Sequence, residues 1–208
     1  MITILCNEAG PNCFCQSLGT HDVKEGFDLK LRDFGDFFSV ESGSKFGESW
    51  LKTEFFKTVE EIPKIQNELE CSVKLSEEEI SRLRYNFHHP IWEEEAKKCL
   101  SCTACTVTCP TCTCFGMRDD VNLNLVSGTR IREWHSCQLQ VFTKVAGGHV
   151  FRRERDKRLK HRIYHKLQYY KDRYGVQMCV GCGRCITNCP ADIDMTKIIK
   201  ALPREGEK

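Results

Sequence analysis

Alternation at the start of the chain and helical stripes further on predict two parts. Residues 2–6 (ITILC) read as a short buried strand. The stretch NEAGPNCFCQSLGTHD that follows is rich in Gly, Pro and Asn and reads as loop. Residues 27–32 (FDLKLR) alternate apolar and polar, as a half-buried strand should. Phe37, Phe38 and Val40 suggest a partner strand, with Gly35-Asp36 making the turn between them. Trp50, Leu51, Phe55, Phe56, Val59 and Ile62 form a helical stripe over 48–62, read as core, and Pro63 breaks it. Ser76-Glu77-Glu78-Glu79 fits a capping box opening a helix whose apolar face is Ile80, Leu83 and Phe87. His88-His89-Pro90 ends it, and a short helix over 91–98 follows. A long helix over 151–174 buries Leu159, Ile163, Leu167, Tyr170 and Tyr174. Asp194 caps a last helix carrying Met195, Ile198, Ile199 and Leu202. The expectation is an α+β chain, with a small α/β segment over 1–75 and a mostly helical domain over 76–208.

One spacing occurs twice within the second part. Cys99, Cys102, Cys105 and Cys109-Pro110 form C-x-x-C-x-x-C-x-x-x-C-P, and Cys179, Cys182, Cys185 and Cys189-Pro190 repeat it. This is the iron–sulfur run of two-cluster ferredoxins, in which the fourth Cys ligates the other cluster. Three thiolates at three-residue intervals let one loop wrap one face of a cubane. The Pro after the fourth Cys has a fixed φ and no N–H, so the chain turns away without wasting a donor. Crossed ligation is therefore expected. Cys99, Cys102, Cys105 and Cys189 would hold one [4Fe–4S], and Cys179, Cys182, Cys185 and Cys109 the other. Structural zinc takes two separated pairs of ligands and leaves the third Cys and the Cys-Pro without a role. Residues 110–178 form a long insert between the motifs. The glycines in Val180-Gly181 and Gly183-Arg184 suit loops whose main chain must approach sulfur closely.

Composition narrows the class. The 208 residues carry a formal charge of +2, which points to neither nucleic acid nor membrane. No apolar run approaches the roughly 20 residues a bilayer span needs, and MITILCNEAG has neither the charged region nor the apolar core of a signal peptide. A soluble, reduced, cytoplasmic protein is the expectation. The helix over 151–174 has a basic face of Arg152, Arg153, Arg155, Lys157, Arg158, Lys160, Arg162 and Lys166. It is read as a solvated face, as a patch for an acidic partner, or as cations that offset cluster charge.

Fifteen Cys leave seven outside the motifs. Cys6 and Cys71 read as structural. Cys13, Cys15, Cys112, Cys114 and Cys137 are more than chance places in such loops, and a third iron–sulfur centre drawing on them is a candidate. A reactive-thiol site of Cys114, Cys137 and His135 that reduces a sulfur compound is the competing account.

The segments CNEAGPNCFCQSLG, DLKLRDFGDFFSVESGSKFG, CTACTVTCPTCTCF, REWHSCQ, GGHVFR, KHRIYHK and CVGCGRCITNCPADID together resemble one family. It is the electron-transfer iron–sulfur component shared by anaerobic sulfite reductase and cytoplasmic sulfhydrogenase, in the latter as the beta subunit. The resemblance runs from about residue 3 to residue 200. It implies a subunit with two [4Fe–4S] clusters held by the eight motif Cys. Such a subunit passes electrons between a flavoprotein that binds FAD and NAD(P)H and a catalytic sulfite reductase or hydrogenase subunit. The additional Cys pairs match family positions too. Family members usually carry a substantial region ahead of the CNEAG-like strand, so strand 2–6 is expected to expose an edge.

Overall fold

The computed structural model describes residues 1–59, 61 and 69–207. The architecture is mixed α/β and falls into two compact units. One is Met1–Lys74 with Val180–Cys182, the other Leu75–Cys179 with Gly183–Lys208.

In the first unit β1 (Ile2–Leu5) pairs parallel with β2 (Leu29–Asp33), which pairs antiparallel with β3 (Phe38–Ser42). The β2–β3 turn falls where Gly35-Asp36 predicted it. The Asp33 carboxylate accepts the Gly35 N–H at 2.7 Å, and Gly35 takes φ +88°, open to glycine at little cost. β1 lies at the sheet edge, and its Ile2 and Ile4 are exposed. Phe14, Phe27, Leu29 and Cys71 are buried.

Helix α1 (Lys45–Leu51) starts earlier and ends sooner than the stripe over 48–62 suggested. Ser44 caps it by accepting the Gly47 N–H at 3.0 Å. At its end the Thr53 hydroxyl takes the Trp50 carbonyl at 2.7 Å, so a local side-chain bond competes with the helical ladder. Trp50, Phe55 and Val59 are exposed, so this part of the stripe is not core. Ile62 and Pro63 lie outside the described residues.

The second unit is built around one helix. α2 (Glu77–Ser81) opens with the capping box complete. The Glu79 N–H donates to the Ser76 hydroxyl at 3.1 Å, and the Ser76 N–H to the Glu79 carboxylate at 2.7 Å. α3 (Ile91–Lys98) packs against α5 (Arg155–Tyr164). Between them in sequence come the short α4 (Ala104–Val107) and the hairpin of β4 (Phe115–Val121) and β5 (Gly128–Trp134). That hairpin fills much of the insert and is exposed on both faces, which is why burial periodicity does not mark it. α5 continues through one π-helical stretch, His165–Tyr169, into α6 (Tyr170–Tyr174). α7 (Arg184–Thr187) and α8 (Met195–Ala201) complete the unit. Asp194 caps α8 as expected, accepting the Thr196 N–H at 2.8 Å.

The core joins Leu83, Trp92, Leu159, Ile163, Tyr164, Leu167, Ile198 and Ile199. Tyr164 donates its hydroxyl to the Leu83 carbonyl at 2.7 Å, and Trp92 its indole N–H to the Asn86 carbonyl at 2.8 Å, so both polar tips are satisfied. Tyr170 is half-buried and Tyr174 exposed, so the buried stripe of the long helix stops at Leu167.

Candidate functional site

The two cysteine motifs adopt the same backbone path. Ser101 and Thr103 take φ of +53° and +70°, and Gly181 and Gly183, at the matching places of the second motif, take +65° and +67°. Left-handed backbone at these two points curls each loop, with its three cysteines, about a centre. The hydrogen bonds repeat as well. Thr106 and Val107 donate to the Thr103 carbonyl, as Ile186 and Thr187 donate to that of Gly183. Cys109 donates to Thr106 and Cys112 to Cys109, as Cys189 donates to Ile186 and Asp192 to Cys189. Ser101 and Thr103 pay the left-handed strain that glycine avoids, and the first loop is held by arginine instead. Arg155 donates to the Cys99 carbonyl at 3.1 Å and Arg158 to the Ser101 hydroxyl at 3.2 Å.

Within the second unit, Cys99, Cys102, Cys105 and Cys189 line one cavity, together with Cys185. These include all four cysteines that crossed ligation assigns to the first cluster. The walls are apolar, from Leu159, Ile163, Ile193 and Met195, with Arg162 and Gln138 as polar members. Main-chain N–H groups point at sulfur. Ser101 donates to Cys99 Sγ at 3.4 Å and Ile193 to Cys189 Sγ at 3.3 Å. Such bonds stabilise thiolate and are a lever on cluster potential.

Arg162 is buried at 7% exposure. Burial works against its charge, yet the thiolates of Cys105, Cys185, Cys109 and Cys137 raise its pKa, so it stays a cation. Burial pushes the Cys105 thiol up to about 11, with Arg162 opposing the shift. Three members of the basic face, Arg158, Arg162 and Lys166, are thus buried rather than solvated. Of the three readings of that face, the charge-offsetting one fits these residues, and Arg153 and Lys157 remain exposed.

The π-helical stretch places Lys166. Its ammonium donates to the Thr111 carbonyl at 2.6 Å and hydroxyl at 3.1 Å, and its carbonyl accepts the Met178 and Cys179 N–H groups at 3.1 and 3.2 Å. Thr111 in turn donates its hydroxyl to the Met178 carbonyl at 2.7 Å. One lysine therefore ties the turn after Cys109 to the residue that opens the second motif. Burial pushes the Cys109 thiol up, but the Thr111 hydrogen bond and the Lys166 and Arg162 charges outweigh it and hold it below the ordinary thiol value. This linkage has no signal in the periodicity, because Lys166 falls among the residues of a face that reads as solvated.

The other candidates divide between the units. Cys112, Cys114 and Cys137 line a small cavity in the second unit with Thr106, Arg162, His165 and Lys166. The neighbouring Cys114 thiol holds the buried Cys137 thiol below its usual value, against burial and with help from Arg162, while Cys137 and burial push Cys114 up strongly. His135 is not a lining residue of this cavity. Its Nδ1 accepts the Ser136 N–H at 2.9 Å and its ring lies 5.1 Å from Phe142. Cys13 and Cys15 lie in the first unit, where Cys15 Sγ is 3.5 Å from Cys71 Sγ. Burial, then Cys71, push the Cys15 thiol up to about 12. Cys71, read from the sequence as structural, is buried against Cys15. Among the described residues, no helix is long and apolar enough to cross a membrane.

The donor set of the first-cluster cavity, four thiols with N–H groups aimed at sulfur and a buried cation, fits a [4Fe–4S] group. Residues 98–193 match the model of the 4Fe-4S dicluster domain. The sulfhydrogenase 2 subunit beta of Pyrococcus furiosus is 35% identical over 204 residues, covering 93% of this chain and 60% of that protein's length. The chain therefore spans less than two thirds of that relative's length. No solved structure matches. The resemblance carried by the cysteine and flanking segments agrees with both comparisons: residues 98–193 match the 4Fe-4S dicluster domain, and the chain is similar to a sulfhydrogenase subunit beta.

Proposed function

We propose that the chain is an iron–sulfur electron-transfer subunit. In this reading it relays electrons between a flavoprotein that draws them from NAD(P)H and a catalytic hydrogenase or sulfite reductase subunit. Cys99, Cys102, Cys105 and Cys189 hold one [4Fe–4S] group and Cys179, Cys182, Cys185 and Cys109 the other. The observation that carries the reading is the gathering of the first four around one apolar cavity beside Arg162. A bound cubane supplies one-electron transfer without substrate bond chemistry. The protein's part is to hold the thiolates, exclude water with Leu159, Ile163 and Met195, and set potential with the Ser101 and Ile193 N–H groups and Arg162.

The test uses the full chain, purified without oxygen, mixed with the flavoprotein and hydrogenase subunits of its own complex. NADPH or NADH with the flavoprotein should bleach the cluster absorbance, and adding the hydrogenase should restore it with evolution of hydrogen. Bleaching that never requires the flavoprotein, or that the hydrogenase cannot reverse, would contradict the relay. A second reading rests on the Cys114 and Cys137 thiols, which line one cavity with Arg162. There the chain itself reduces a sulfur compound. Loss of polysulfide reduction in Cys137→Ser with all iron retained would favour it.

A further inference from the structure

Lys166 is gripped at both of its ends, and each end meets a different cysteine segment of the second unit. It lies in the π-helical stretch His165–Tyr169. A π turn breaks the regular helical ladder, so a carbonyl within it can take donors from elsewhere. The Lys166 carbonyl takes two, the N–H groups of Met178 and Cys179, where the second motif begins. At the other end its ammonium donates to the carbonyl and hydroxyl of Thr111, in the turn after Cys109-Pro110. The Thr111 hydroxyl donates to the Met178 carbonyl at 2.7 Å and stands 3.6 Å from Cys109 Sγ. One residue thus fixes the turn that carries the fourth cysteine of the first motif against the opening of the second.

The charge of Lys166 is not matched by these partners. The residue is 4% exposed, and both hydrogen bonds of its ammonium go to neutral oxygens. Among the described residues it forms no ion pair. A buried ammonium is costly unless an anion answers it. Cys109 sulfur, with only the Thr111 hydroxyl between, is the anion that this position serves. Burial opposes the Cys109 thiolate, and the Thr111 bond and then Lys166 favour it. Arg162 is placed differently. It lines the cavity of Cys99, Cys102, Cys105 and Cys189, and Lys166 is not among the residues that do.

We propose that Lys166 is the positioning residue of the second cluster: it orders Cys109 for that cluster through Thr111, and its charge raises that cluster's potential without raising the first. The inference rests on the electron-transfer reading above and on its crossed ligand set. Reduction adds one electron, delivered by the redox partner of that reading, and a fixed positive charge beside the cluster favours the added negative charge. Arg162 beside the first cluster and Lys166 beside the second then give each potential its own cation. The step in potential between the two stations is set by which cation the helix presents to each.

The experiment is a spectroelectrochemical titration of full chain purified without oxygen, with iron and acid-labile sulfide counted on each sample. Cys99→Ser chain keeps only the second cluster, and Cys179→Ser chain only the first. In Cys99→Ser chain, Lys166→Met should leave about tenfold less of the cluster reduced at a fixed potential, a fall of about 59 mV for one electron. In Cys179→Ser chain the same substitution should leave the potential unchanged. Lys166→Arg keeps the charge and should recover most of the shift. Loss of the second cluster's iron in Lys166→Met and its return in Lys166→Arg would also support the proposal, because the charge would then be what holds Cys109 in place. An unchanged second-cluster potential in Lys166→Met, with its iron complete, would overturn it. Equal falls in both single-cluster chains would overturn it too, as would iron lost alike from the Met and Arg variants; all three leave the electron-transfer reading intact. A wild-type chain without iron or sulfide would overturn that reading and the proposal with it.

Discussion

Cys189→Ser will remove the same cluster as Cys99→Ser, although the two residues lie in different motifs. Both variants should lose about four of the motif irons and leave one cubane. Their remaining electron paramagnetic resonance spectra and reduction potentials should coincide. Cys109→Ser should also leave one cubane, but the other one, and its spectrum should match that of Cys179→Ser. The pairing follows from the cavity that Cys99, Cys102, Cys105 and Cys189 line together, and from the Lys166 and Thr111 bonds that tie the Cys109 turn to Cys179. If Cys189→Ser instead matched Cys179→Ser, each motif would hold its own cluster and crossed ligation would be wrong.

The second large effect is on potential. Arg162 is a buried cation among four thiols, and it lines the cavity as well. Positive charge favours the reduced, more negative cluster, so Arg162→Met should lower the potential of the cluster at Cys99, Cys102, Cys105 and Cys189. At an effective dielectric of about 20, a unit charge about 8 Å away is worth roughly 2 kcal/mol, on the order of 90 mV for one electron. Methionine keeps much of the volume, so iron content should hold while the potential falls. Arg162→Lys should recover most of the shift. A spectroelectrochemical titration reads this directly. An unchanged potential with full iron content would mean that Arg162 serves packing alone.

Both predictions depend on residues whose roles differ in how openly the sequence carries them. The eight motif cysteines are legible because a cubane imposes its spacing on one local loop. The capping box at Ser76 and the cap at Asp194 are legible for the same reason, since each is completed within three residues. The hairpin over 115–134 is not, because neither face is buried and no alternation is imposed on it. The basic face leaves three readings open in the sequence, because Arg158, Arg162 and Lys166 are buried by partners distant in sequence, such as Ser101 and Thr111. Cys71 stands alone in a polar stretch and gains its neighbours through the bonds of Gln16 and Ser72, and no periodicity reports such a contact. The aromatic stripe over 50–59 shows the reverse error, in which apolar spacing suggests a core face that exposed Trp50, Phe55 and Val59 do not provide.

The central claim is that the motif cysteines build two redox-active cubanes. The measurement that reaches it most directly is a reductive titration of the anaerobically purified full chain, followed by electron paramagnetic resonance, with iron and acid-labile sulfide counted on the same sample. The account predicts two reduced [4Fe–4S] signals, broadened by mutual interaction and together equal to about two spins per chain. Zinc without sulfide, or iron that stays silent and takes up no electrons, would contradict it.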